Sequence, residues 1–337
     1  MPFDRLLSRY FGDGAWELSE GLSGWNNTTR FVRSGGRDWV LRIYETHKDA
    51  GKIRFEYEIL SALNAMALPF QVPKPVRCLR GDTVVRAEDG TGRLACLFEY
   101  IEGRRPRTDD AEAAEAFGLA TGRLMAALAE APVALAPIYA PYYELDSAHP
   151  RCEPEQVAAF CASPPSEFRE LADELAAIGD KLHRVRATLP AYRSLPHQLV
   201  HGDLNASNLL TGVEEGDTRI AAILDFEFCT RDLRAMEIAV ALSGYMEMGD
   251  KAEEMIGRFL QGAGGGLKLE PAEADAVPAL MKLRMLDVFL HFLGRHWDGV
   301  DDAEVVRAQI SSVYRGLGEL AAKEETIRTL VHKYLMA

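Results

Sequence analysis

Leu199-Val200-His201-Gly202-Asp203-Leu204-Asn205-Ala206-Ser207-Asn208-Leu209-Leu210 sets a His, an Asp and an Asn in the order H-x-D-x-x-x-x-N, between two apolar pairs. The pairs predict short buried strands, and the polar residues between them predict a loop that those strands hold. Working outward, Asp225 stands seventeen residues past Asn208, at the end of the apolar run Ile220-Ala221-Ala222-Ile223-Leu224. That run reads as a second buried strand ending in an acid.

Two acids and an amide at strand ends are the groups that phosphoryl transfer requires. One carboxylate orients the attacking hydroxyl and takes its proton, and hard oxygen ligands hold Mg²⁺ against nucleotide phosphates. Asp203 suits the first task; Asn208 and Asp225 suit the second. An amide and a carboxylate together bind Mg²⁺ without neutralising it. His201 is expected to fix the loop as a hydrogen-bond donor. The plainer alternative is an acidic loop after a strand, with Asn208 capping a turn.

The loop resembles the catalytic loop of the protein-kinase-like superfamily. Gly202, where protein kinases commonly have Arg, makes it similar to the aminoglycoside phosphotransferase branch, which includes choline kinases and the bacterial homoserine kinase type. Asp225-Phe226-Glu227-Phe228 stands where the superfamily has Asp-Phe-Gly, and Glu227 replaces the glycine, as is usual in the small-molecule branch. The resemblance runs from about Gly21 to Trp297. It implies a bilobal α+β fold, with ATP between a small β-rich lobe (1–102, hinge at about 99–103) and a larger helical lobe (103–337). It also implies transfer of the γ-phosphoryl group to a hydroxyl.

The amino-terminal third fits that scheme in part. Thr28–Arg33 and Asp38–Tyr44 flank the turn Ser34-Gly35-Gly36-Arg37 and read as a hairpin. A helix is expected from about Asp49 to Ala67, and strands near Val76–Leu79 and Leu94–Tyr100. Gly21–Thr29 is a small-residue turn, and such a turn brings backbone N–H groups such as those of Gly24 and Asn26 close to phosphate oxygens; a plain hairpin reads equally well. Val40-Leu41-Arg42 ends a strand where the superfamily has Val-Ala-x-Lys, so Arg42 is the expected phosphate-binding cation. Arg keeps the charge but is bulkier and prefers forked contacts. Its partner should lie on the next helix, where Glu56 and Glu58 compete. Glu56 shares a face with Leu60 and Leu63, which point to the core, and is chosen on that ground. Leu97–Gly103 resembles the inter-lobe hinge, with adenine near Glu99 and Ile101; an edge strand is the alternative.

Only six residues separate Phe226 from an expected helix start at Leu233, and no Ala-Pro-Glu follows. There is thus no extended segment to hold a peptide, and no Arg beside Asp203 to read a regulatory phosphate. The acceptor is therefore expected to be a small molecule held by the helical part. Arg231–Glu237 is expected to brace the catalytic loop through Glu237, or to begin a helix with Asp232 as its cap. Leu283, Leu286, Leu290, Leu293 and Trp297 recur at helical spacing, as do Phe117, Ala120, Leu124 and Ala127. Arg284, Asp287, His291 and Arg295 form the opposite stripe of the later helix. His291 and Arg295 are expected to face the acceptor, with Glu227 and Phe228 nearby, and Tyr142, Tyr143, Glu144 and Asp146 to close over it. Gly262–Gly266 reads as a mobile loop between helices.

Bulk composition limits the partners. The net charge of −13 argues against nucleic acid, which needs clustered cations, and suits an amine-bearing acceptor. Five cysteines in no CxxC pair read as reduced thiols of a cytoplasmic protein. No apolar run reaches a membrane span, and the start is not a secretory signal. The oligomer expected is a monomer or a homodimer. A homoserine- or choline-like acceptor comes first, an aminoglycoside or other antibiotic second. A nucleotide-binding structural or regulatory protein without turnover is the alternative from another class.

Overall fold

The computed structural model describes residues 3–21, 27–45, 49–88 and 90–336. They form two compact units. The first is made of residues 1–105, 130–138 and 209–228, and the second of 106–129, 139–208 and 229–337.

In the first unit a six-stranded antiparallel sheet is built from β1 (Trp16–Glu20), β2 (Asn27–Ser34), β3 (Arg37–Tyr44), β4 (Pro75–Val76), β5 (Val85–Arg86) and β6 (Leu94–Glu99). The order is β1-β2-β3-β6-β4, with β5 also paired to β6. Two helices flank it in sequence, α1 (Asp4–Phe11) and α2 (Ala50–Asn64), the latter capped by Asp49 accepting from the Gly51 N–H at 2.7 Å. Strand alternation sorts the two faces. Leu41 and Ile43 of β3 and Ala95 and Leu97 of β6 pack with Leu6, Leu7 and Tyr10 of α1. Each fully buried Leu there contributes roughly 1.5–3 kcal/mol. Arg42, opposite Cys96 in register, and Phe98 take the other face, where the Phe98 ring stacks on Tyr57 of α2 at 5.8 Å.

The helix expected to reach Ala67 stops at Asn64, whose side-chain amide donates back to Leu60 O and on to Pro73 O. The strand expected over Val76–Leu79 is only Pro75–Val76, since the chain turns at Gly81, which bonds back to Cys78 O.

The hairpin of β8 (Leu209–Thr211) and β9 (Ile220–Ile223), assigned above to the helical part, belongs to the first unit. Backbone bonds of Gln71 with Ala221 and Ile223, and of Arg104 with Thr211, hold it there. Gly103 is required at that approach, because a Cβ would lie 2.7 Å from Thr211 O.

The second unit is largely helical. Its elements are α3 (Ala111–Glu130), α4 (Pro154–Ala162), α5 (Ala172–Tyr192), α6 (Arg234–Ser243), α7 (Ala252–Ala263), α8 (Pro271–Trp297) and α9 (Ala303–Leu335), with β7 (His197–Val200) paired antiparallel to β10 (Thr230–Leu233). α8 packs along both α6 and α9. Of the glycines read as a loop, Gly264, Gly265 and Gly266 lie in the connection between α7 and α8, while Gly262 sits in the last turn of α7 against α3, where a Cβ would meet Glu115 O at 2.0 Å. Among the described residues no helix is long and apolar enough to cross a membrane, and all five cysteines are buried and free.

Candidate active site

In the second unit, β7 delivers the chain into His201–Asn205, and a 3-10 turn (Ala206–Asn208) closes the loop. Gly202 has φ of +81°, a conformation open to glycine and costly for any residue with a Cβ. Leu204 is fully buried and anchors the loop's middle. Asn205 bridges it from within, donating to Asp203 O at 3.0 Å and accepting from the Ser207 N–H at 2.9 Å.

His201 is buried, and its Nδ1 accepts from the Asp203 N–H at 3.3 Å. Accepting there, Nδ1 is unprotonated, which leaves the proton of the neutral ring on Nε2. Glu237 of α6 is also fully buried and accepts from the backbone N–H groups of His201 and Gly202. Burial pushes its carboxyl up to about 8, against the pull of those two bonds. Asp232 does not cap α6. It lies in β10, where its carboxylate accepts from the Tyr142 and Leu233 N–H groups, and burial pushes it up to about 7.

Both oxygens of the Asp203 carboxylate are held. Arg284 of α8 donates to Oδ1 at 2.6 Å, and the Asn208 amide donates to Oδ2 at 3.2 Å and to Asp203 O at 2.9 Å. Because Asn208 uses its NH₂ on the loop, its side-chain oxygen is the atom it offers to a hard cation. Arg284 also donates to the Tyr142 hydroxyl at 2.7 Å, and that hydroxyl donates to Gly202 O at 2.6 Å. Asp287 lies 3.8 Å from Arg284, and burial raises its carboxyl to about 6 although the arginine pulls it down.

The segment read as closing over the acceptor is bonded down. Besides Tyr142, the Tyr143 hydroxyl meets His197 Nε2 at 3.0 Å, Glu144 pairs with Arg193 at 3.1 Å and Asp146 with Arg186 at 2.8 Å.

Arg295 is buried and forked onto Asp301, with Nε 2.6 Å and Nη2 2.9 Å from the two carboxylate oxygens. Gly299, at φ +72°, turns the chain back after α8 and brings Asp301 within reach. His291 packs edge-on against His149 at 6.5 Å, and burial lowers its pKa to about 4, with Arg295, His149 and Arg284 adding to the effect. It is neutral at pH 7.

The first unit carries the other groups. Arg42 Nη1 lies 3.1 Å from Glu56 Oε1 and 3.2 Å from Asp225 Oδ1, and the guanidinium sits over the Phe98 ring at 5.4 Å. Burial disfavours its charge, but Asp225 and Glu56 together hold its pKa well above the usual value. Glu56 is buried and also accepts from the Tyr44 hydroxyl at 3.0 Å; burial pushes its carboxyl up to about 7 against Arg42. Glu58 points elsewhere and accepts from the Ala134 and Leu135 N–H groups at 2.9 Å.

Asp225 follows β9 with φ of +66°, the left-handed region that a non-glycine residue enters at a cost. Buried Glu227 accepts from Asn27 Nδ2 at 2.8 Å, and Phe228 ends the segment. Glu99 closes β6 opposite Trp39 and pairs with Lys74 at 2.7 Å, with Ile101 two residues on. Gly24 and Asn26 lie outside the described residues.

Of the three groups expected around one ion, Asp203 and Asn208 are bonded to each other in the second unit, and Asp225 belongs to the first. Their donor set, an amide oxygen and carboxylates, fits Mg²⁺. Sequence reading missed Arg284 and Tyr142 as partners of the catalytic loop, and Asn27 and Tyr44 as partners of Glu227 and Glu56.

The chain is 25% identical over 230 residues to the homoserine kinase of Zymomonas mobilis subsp. mobilis, a match spanning 68% of this chain and 63% of that enzyme, less than two thirds of its length. Its fold is that of a microcompartment-associated aminopropanol kinase, with a TM-score of 0.70 at 21% identity over 96% of this chain and 97% of the other. An amicoumacin kinase solved with AMP-PNP and Ca²⁺ is similar over 92% of this chain and 91% of its own, with a TM-score of 0.63 at 18% identity. The fold is protein-kinase-like α+β. Residues 17–275 match the model of the phosphotransferase enzyme family, and the chain belongs to that family.

Proposed function

We propose that the protein is an ATP- and Mg²⁺-dependent kinase that moves the γ-phosphoryl group to a hydroxyl of a small, amine-bearing alcohol. The observation that carries this is the Asp203 carboxylate, fixed by donors on both oxygens in a loop that Glu237, Tyr142 and Asn208 brace from three sides. Asp203 orients the acceptor hydroxyl and takes its proton as the oxygen bonds to the γ-phosphorus and the bond to the β-phosphate oxygen breaks. Asn208 and Asp225 are the metal ligands, Arg42 meets nucleotide phosphates with Glu56 holding it, and Glu99 and Ile101 mark the adenine end. Bound Mg²⁺ supplies charge compensation on the phosphate oxygens.

The acceptor class is supported by the relatives' names. Homoserine and aminopropanol each carry an amine and a hydroxyl, and the negative balance of this chain suits a cation. A coupled ADP-release assay over amino alcohols, hydroxy amino acids, sugars and aminoglycosides tests it. Turnover is expected with an amine-bearing alcohol. Turnover confined to aminoglycosides would move the acceptor to an antibiotic, and no ADP release with any compound would sink the kinase reading.

A further inference from the structure

We infer that Arg284 is a positioning residue for the phosphoryl transfer, setting the plane of the Asp203 carboxylate from outside the catalytic loop. The inference rests on the kinase reading above. Arg284 lies past the stretch that matches the family model, so family membership alone does not assign it a role.

A carboxylate that takes a proton from an alcohol must hold one oxygen toward it, and a misplacement of about 1 Å costs on the order of 100-fold in rate. Asn208 donates to Oδ2, at 3.2 Å. Arg284 holds the other oxygen, with a short contact to Oδ1, so the two donors together fix the plane of the carboxylate. Its own position is set by a second arm on the Tyr142 hydroxyl, which is tied to Gly202 O, next to Asp203 in the chain. The guanidinium carbon sits 5.5 Å from the Tyr142 ring centroid, so the same tyrosine also supports its face. Thus one rigid fork joins α8, the Tyr142 segment and the catalytic loop. A lysine is a point charge and makes one of these contacts at a time.

The test uses the full chain with MgATP and the amine-bearing alcohol turned over best. R284A is expected to lower kcat about 100-fold with the KM for ATP unchanged. Added guanidinium ion should restore roughly tenfold of the lost rate. R284K, which keeps the charge and loses the fork, should lose about tenfold in kcat. Y142F should also lose about tenfold.

Wild-type turnover with R284A within threefold in kcat overturns the inference while leaving the kinase reading intact. If R284A does not fold, R284K and Y142F decide, and unchanged kcat in both overturns it. A wild type that releases no ADP overturns the kinase reading, and the positioning role with it.

Discussion

Each unit is organised around one arginine shared between acids and braced through a tyrosine. In the first, Arg42 lies between Glu56 and Asp225, and Tyr44 secures Glu56. In the second, Arg284 lies between Asp203 and Asp287, and Tyr142 secures the arginine itself. They differ in which pair stays dry. The side chains of Arg42 and Glu56 are 14% and 2% exposed, with Asp225 at 32%, whereas Arg284 and Asp203 are each 21% exposed. A dry pair is costly to break and serves to hold a cation in place. The wetter acids, Asp225 and Asp203, are open to ligands. The Arg42–Glu56 pair should therefore report mainly in stability, and Asp225 and Asp203 mainly in turnover.

Changes at the acids that the arginines hold should separate the two most strongly. Asp225→Ala removes a proposed metal ligand and is expected to lower kcat about 1,000-fold, near 4 kcal/mol. ADP release at saturating substrates measures this, and a loss under tenfold removes Asp225 from the metal site. Arg42→Ala leaves Glu56 buried without its cation and should cost about 3 kcal/mol in urea unfolding. A cost below 1 kcal/mol would mean that the first cluster is no drier in effect than the second.

Glu237 sharpens the comparison through pH. Its carboxyl sits at about 8 in the fold against 4.5 ordinarily, so the folded chain binds an extra proton between those values. Stability is highest below pH 4.5 on this account and is lost as pH rises through about 8, by on the order of 5 kcal/mol. Glu237→Gln should flatten part of that slope in thermal unfolding, since Asp232 and Glu56 titrate in the same window. An unchanged slope removes Glu237 as its source. Smallest of all, Glu58→Ala should cost under about 1 kcal/mol, because its two backbone contacts are solvent-exposed. A cost equal to that of Glu56→Ala would erase the distinction drawn between neighbours on one helix.

Much of this was legible in the sequence, for reasons that differ by residue. The loop and its acids could be read because their roles depend on local spacing along strand ends. Glu56 could be preferred over Glu58 because helical periodicity fixes which side faces the sheet. Periodicity does not say what lies across from a side chain. Arg284, His291 and Arg295 share one stripe of α8, yet Arg284 meets an acid 81 residues earlier and Arg295 one only six residues later. The contact to Asp301 depends on a reversal at Gly299, a turn no helical pattern encodes. Tyr142 was singled out as part of an insert, but its bond to Gly202, 60 residues on, is tertiary. The glycines near residue 262 mislead for a related reason: glycine marks both loose turns and the closest helix contacts.

The most direct test of the account compares wild type with Asp203→Asn, reading MgATP affinity and ADP release on an amine-bearing alcohol from the same preparations. The account predicts MgATP binding within about threefold of wild type and a loss of turnover of at least about 1,000-fold. Turnover retained within tenfold by Asp203→Asn would contradict it.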